Sequence, residues 1–141
     1  MPYWRLFYHI TWATREREPL IQVAFETRLH SVIAAKASDL GGVVHAVGGV
    51  EDHVHLAVSV PPRIALADFN GQVKGASSHF VNHELNLPHV FRWQAEYGIV
   101  SFGGRQLEIV MEYIRQQRQH HLEHTVIPFL ERVGTEKKAR G

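Results

Sequence analysis

The 141-residue chain contains no cysteine. That absence excludes a disulfide framework, an iron–sulfur cluster, a thiolate zinc site and a thiol nucleophile. Charge of one sign is missing too: 15 Lys and Arg stand against 14 Asp and Glu, a formal net charge of +1. Bulk charge therefore argues neither for nor against a nucleic-acid partner, and any such partner has to be held by a local basic patch. No apolar run approaches the ~20 residues needed to cross a bilayer, so no integral membrane segment is expected. Met1 to Thr14 carries Arg5 and His9 inside its apolar run and lacks a small-residue cleavage site. No targeting segment is expected, and the location expected is cytoplasmic. Carboxylates at a spacing that suggests an acid–base pair are absent, as are internal repeats and low-complexity segments. What is abundant is histidine, with 11 residues, in a chain that is 45% hydrophobic and 10% aromatic. A chain of this length buries roughly two-thirds of its unfolded surface, enough for one core, and residues 1–141 are read as one domain.

Hydrophobic periodicity orders the chain. Tyr3 to Trp12 alternates, with Leu6, Tyr8 and Ile10 on one face and Arg5, Phe7, His9 and Thr11 on the other, and reads as a strand. Pro19 suits the first turn of a helix in which Phe25, Leu29, Val32, Ile33 and Lys36 follow helical spacing until Gly41 and Gly42 end it. Val43 to Val50 and His53 to Val60 read as an antiparallel hairpin joined at Glu51 and Asp52 and stopped by Pro61 and Pro62. Leu66, Phe69, Val73, Ala76 and Phe80 predict a second amphipathic helix, Phe91 to Phe102 a fourth extended segment, and Arg105 to about His124 a third long helix. Residues 126–141 read as a flexible C-terminal tail. The order β-α-β-β-α-β-α predicts an α+β, ferredoxin-like split β-α-β sandwich with an antiparallel sheet and one additional C-terminal helix. Two helices cover one face of such a sheet. The second face needs the extra helix, a partner subunit or a ligand.

Two constellations could carry chemistry. His53 and His55 lie two apart on a strand, so their side chains share a face with Cα atoms about 6.6–7 Å apart and can converge on one ion. The apolar series Val54, Leu56, Val58 and Val60 faces the other way, so the histidines point to the face the first two helices leave free. By itself the pair reads equally well as two solvent-exposed strand histidines. The second constellation is on the last helix, where Leu107, Val110, Met111 and Ile114 form the packing stripe and Tyr113 lies off it. Gln117 follows one turn later on the same side. Alone, this is an ordinary half-buried tyrosine beside a solvated glutamine. Together the two supply neutral nitrogen donors, an amide oxygen and a phenol, a set suited to polarising a phosphodiester and attacking it with tyrosine.

The run Asp52-His53-Val54-His55-Leu56, followed by Phe91-Arg92-Trp93-Gln94, Tyr97-Gly98, Ser101 and Tyr113-Ile114-Arg115-Gln116-Gln117, resembles the small single-tyrosine HUH transposases of the insertion-sequence and repeat-associated type. The resemblance spans nearly the whole chain in the same motif order. It implies a ferredoxin-like fold, a homodimer, Mg2+ or Mn2+, and single-stranded DNA with hairpin (foldback) ends as substrate, in a nucleoid-associated protein. It also implies that His53 and His55 match the family's histidine metal ligands, Tyr113 its nucleophile and Gln117 its third ligand. The activity implied is cleavage and rejoining of single-stranded DNA through a 5′-phosphotyrosine link.

Arg92, Arg105, Arg115 and Arg118 are candidate phosphate contacts, as is the tail with Lys137, Lys138 and Arg140; each serves equally for surface solubility. Trp93 and Tyr97 could stack on unpaired bases or belong to the core. His9 faces the same side as Arg5 and could approach the DNA or the site, though a satisfied strand histidine is the plainer reading. His120 and His124, at i and i+4 beside His121, have a spacing able to hold zinc, though a solvated or DNA-facing helix end is the plainer reading. A non-catalytic single-stranded nucleic-acid-binding module on the same fold is the competing class, and a domesticated protein acting on host repeats is a variant of the first.

Overall fold

The computed structural model describes residues 3–133. Four strands, β1 (Phe7–Ala13), β2 (Val43–Val50), β3 (His53–Ser59) and β4 (Gly98–Phe102), form one sheet in the order β2-β3-β1-β4. Every neighbouring pair is antiparallel. Helices α1 (Val23–Asp39) and α2 (Leu66–Glu84) cross between them as the split β-α-β plan requires. Strand pairing sets Ile10 opposite Leu56 and Trp12 opposite Val54. This apolar face packs with Phe25, Leu29 and Ile33 of α1 and Phe69, Val73 and Val81 of α2 into the main core. The Trp12 indole N–H, which burial would otherwise leave unpaired, donates to the buried Asn70 side chain.

The opposite face carries His9, Thr11, His53, His55 and Ala57, and the chain's own C-terminal helices cover it. A 3-10 turn (Gly104–Gln106) leads into α3 (Leu107–Arg115), followed by α4 (Gln117–Glu123) and α5 (Pro128–Glu131). Val110 and Ile114 of α3 bury against Ala46 and Ala57, with Phe102 and Met111 at the edge. Gly48 permits this seat: it pairs with His55, and a Cβ there would stand 2.1 Å from the Ile114 carbonyl oxygen. Only a residue without a side chain lets the α3 backbone descend beside His55. Among the described residues, no helix is long and apolar enough to cross a membrane.

Four expectations change. The first helix begins at Val23 and not at Pro19. The extended segment is shorter than Phe91 to Phe102, because Asn82 takes both backbone groups of Phe91 (2.7 and 2.9 Å) and the Trp93 indole donates to Ser77, tying the stretch to α2. The long last helix breaks at Gln116 (φ −105°, ψ 26°), which re-aims Gln117 inward, and α4 ends at His124 in the left-handed region (φ 56°). Finally, residues 126–133 are docked and not frayed: Leu130 is buried, and Gly98 lets the Arg132 carbonyl lie against β4.

Candidate active site

The histidines converge because their strand alternates over a paired register. His55 sits between Thr11 of β1 and Gly48 of β2, while His53 sits between Ala13 and Val50. Both imidazoles are buried, with ring centroids 5.0 Å apart. Asp52 lies 2.6 Å from His53 Nδ1, and His55 Nδ1 lies 2.8 Å from His9 Nε2, so in each ring Nε2 is the atom left facing the covering helices. Helix α3 brings Tyr113 over them, its ring 6.1 Å from that of His55 and nearly perpendicular to it. Gln117 is buried beside it, its amide nitrogen donating to the Tyr113 carbonyl (3.3 Å).

The structure thus brings His53 and His55 of β3 together with Tyr113 of α3 and Gln117 of α4, segments far apart in sequence. It adds Glu131 from α5. One carboxylate oxygen lies 3.1 Å from His53 Nε2, 3.3 Å from His55 Nε2 and 3.2 Å from His121 Nε2, and the other accepts the Tyr113 hydroxyl. The Ile127 amide donates to the same hydroxyl at 2.9 Å. His53, His55 and Glu131 offer ligand atoms within 4.8 Å of one another, a grouping that could hold a metal ion.

Electrostatics follow from this packing. Burial disfavours the His53 cation, but the Asp52 and Glu131 carboxylates outweigh it and raise the pKa to about 9. Burial lowers His55, and burial with His55 alongside brings His9 down to about 3. Burial would raise Glu131, yet its contacts with His53 and His55 hold it well below the usual carboxylate range. Burial and the bond to Glu131 push Tyr113 up to about 12, so in this arrangement the phenol keeps its proton.

His53 Nε2, His55 Nε2 and Gln117 Oε1 are buried and have no hydrogen-bond partner among the described residues. The carboxylate of Glu131 is within ion-pair distance of both nitrogens but off the line of an N–H···O bond. Such orphaned buried polar atoms cost stability unless a ligand satisfies them. Two imidazole nitrogens, an amide oxygen and a carboxylate suit a divalent cation of borderline to hard character.

The remaining candidates scatter. Arg92, Arg105 and Arg115 are exposed, and Arg118 pairs with Glu26 at 2.6 Å. The Trp93 ring packs edge-on against Phe91 within the core. Tyr97 lines a cleft of about 420 Å3 with His9, Thr11, Phe129 and Arg132 beside the site. Of the histidine cluster, His121 reaches Glu131, whereas His120 stacks on Tyr113 and bonds Thr125, and His124 ends α4. Lys137, Lys138 and Arg140 lie outside the described residues. Glu131 was not foreseen; the only signal for it is Pro128, a residue favoured at the first turn of a helix, ahead of Phe-Leu-Glu.

Comparison with known proteins places the fold and the motifs in one context. The chain is 26% identical over 119 residues to the ISDra2 transposase TnpA of Deinococcus radiodurans, covering 81% of this chain and 85% of that protein. A crystal structure of a Deinococcus radiodurans protein assigned as a transposase superposes with a TM-score of 0.64 at 23% identity, over 89% of this chain and 95% of the other. A REP-associated tyrosine transposase bound to a REP hairpin superposes with a TM-score of 0.61 at 15% identity, over 89% and 76% of the two chains. The family model described as "Transposase IS200 like" matches residues 2–117, from the first strand to the glutamine after Tyr113, and the chain belongs to that family.

Proposed function

We propose that the chain is a divalent-metal-dependent transposase that cleaves single-stranded DNA at hairpin ends and rejoins it through a 5′-phosphotyrosine link to Tyr113. The observation that carries this reading is the convergence of His53, His55 and Glu131 ligand atoms within 4.8 Å of one another, beside the Tyr113 hydroxyl. There His53 Nε2, His55 Nε2 and Gln117 Oε1 are buried and unpartnered among the described residues. His53, His55 and Gln117 would hold Mg2+ or Mn2+, with Glu131 a further oxygen donor while α5 is docked. Bound there, the ion polarises a phosphodiester oxygen as a Lewis acid.

The protein's own contribution is orientation. Asp52 holds the His53 ring by Nδ1, and α3 fixes Tyr113 through the Ile114 contact on Gly48. Tyr113 oxygen attacks phosphorus in line as the 3′-oxygen leaves, giving a 5′-phosphotyrosine and a free 3′-hydroxyl. A 3′-hydroxyl from another end reverses the step and rejoins the strand, so no high-energy cofactor is consumed. Tyr113 is 3% exposed beneath Ile127 and Glu131, so a phosphodiester reaches it only as that turn lifts. Lifting also releases the hydroxyl from the carboxylate that keeps it protonated. Exposed Arg92, Arg105 and Arg115 are the phosphate contacts of this reading, a hairpin-ended single strand is its substrate, and a homodimer is its assembly.

The test is incubation of the full chain with end-labelled hairpin oligonucleotides and Mn2+. A denaturing gel should show a protein-linked DNA band for the native chain and none for Tyr113→Phe, which still shifts the DNA on a native gel. A band that persists in Tyr113→Phe overturns the assignment.

A further inference from the structure

Building on the metal-ligand reading of His53 and His55, we propose that His9 and Thr11 are positioning residues. They fix the proton of His55 on Nδ1 and thereby keep its Nε2 lone pair aimed at the ligand set.

The argument is a count of protons. His55 Nδ1 lies 2.8 Å from His9 Nε2 and 3.3 Å from Thr11 Oγ1. Two facing imidazole nitrogens share one proton, and either ring can own it. Thr11 breaks the tie. Its single hydroxyl proton goes to the Leu130 carbonyl at 3.0 Å, so Oγ1 turns a lone pair toward His55 Nδ1 and can only accept. A proton on Nδ1 then satisfies both neighbours. The opposite arrangement sets lone pairs of Nδ1 and Oγ1 against each other and puts the ring's proton on Nε2, where a cation would have to displace it. His9, Thr11 and His55 are each at most 1% exposed, so solvent does not relax the choice.

His53 solves the same problem differently, since Asp52, whose carboxyl is held in its ionised form, accepts from Nδ1. The two histidines of one H-x-H pair are thus oriented by unlike partners. The source in the sequence is His9-x-Thr11 on β1, brought against His53-x-His55 on β3 by the pairing of Thr11 with His55. Because Leu130 belongs to α5, seating of the C-terminal turn is what commits the Thr11 proton.

Two pairs of variants in the full chain separate this role from packing. Thr11→Val keeps the shape and removes the acceptor, while Thr11→Ser keeps the hydroxyl and removes a methyl group. His9→Leu removes the acceptor, and His9→Gln restores one. Calorimetric titration with Mn2+ should show about a 10–100-fold loss of affinity for Thr11→Val and His9→Leu, with Thr11→Ser and His9→Gln within about threefold of the native chain. In long-range 1H–15N spectra of the metal-free protein, His55 should be the neutral Nδ1–H tautomer in the native chain and a mixture of the Nδ1–H and Nε2–H tautomers in Thr11→Val. Equal affinity losses for Thr11→Val and Thr11→Ser, or an unchanged His55 tautomer in Thr11→Val, overturn the proposal. If the native chain binds no Mn2+, the ligand reading falls, and the metal-free spectra still decide the tautomer assignment.

Discussion

Replacing Gly48 by alanine should do more damage than its single methyl group suggests. The added Cβ would lie 2.1 Å from the Ile114 carbonyl oxygen, 3.0 Å from its carbon and 3.1 Å from Ile114 Cγ2. Two of these atoms are α3 backbone, so no side-chain rotation relieves the overlap, and α3 must lift by about 1 Å to reach ordinary contact. That lift loosens the small cluster of Val110 and Ile114 on Ala46 and Ala57, the packing that holds α3 to the sheet. The cost is about 1–3 kcal/mol, typical of overpacking in a tight core. For a domain of this size it should lower Tm by roughly 5 °C. Tyr113 is the neighbour of Ile114, and a displacement near 1 Å at a reacting group slows chemistry by about a hundredfold. Gly75→Ala is the control, because nothing lies within 4 Å of a Cβ there, and it should raise Tm slightly while leaving chemistry alone. Thermal unfolding by circular dichroism and the single-turnover rate of covalent adduct formation measure the two effects. A Gly48→Ala protein with native Tm and native rate would refute the seat of α3 on β2.

Further outcomes follow from the site. Metal-free stability should peak near pH 6.5. His53, with a folded pKa of about 9, contributes stability present in full below 6.5 and lost as pH rises through 9; His9, held at about 3, makes the folded state lose stability as pH falls below 6.5. A Tm that is level from pH 6.5 to 9 would contradict the His53 assignment. Gln117→Ala should weaken Mn2+ binding by about 10–100-fold in calorimetry while leaving the fold intact, whereas unchanged affinity would remove Gln117 from the ligand set. Glu131→Ala should lower the Tyr113 pKa from about 12 toward 10 in a spectroscopic titration, since it removes the acceptor that holds the phenolic proton.

What the sequence made legible is what local pattern controls. Alternation along His53 to Val60 placed both histidines on the face away from α1 and α2, because strand period leaves them no other side. The stripe of Leu107, Val110, Met111 and Ile114 likewise located the face of α3 that buries. What stayed hidden depends on contacts between distant segments. Phe91 and Trp93 have the composition of a strand, yet side chains of α2 tie them down before β4 begins. The break at Gln116 has no glycine or proline to announce it; it shows only once Gln117 is seen buried under the covering turn. Glu131 was out of reach because nothing in Pro-Phe-Leu-Glu signals a carboxylate meeting two strand histidines, and only the docking of Leu130 brings it there.

The most direct test of the central claim is to identify the residue that carries the DNA. The full chain is reacted with a hairpin oligonucleotide and Mn2+, the covalent complex is digested with protease and nuclease, and the modified peptide is sequenced by mass spectrometry. The account predicts a nucleotide remnant attached through its 5′-phosphate to Tyr113, on the peptide from α3. Attachment to another residue, or cleaved DNA with free ends and no protein adduct, would contradict it.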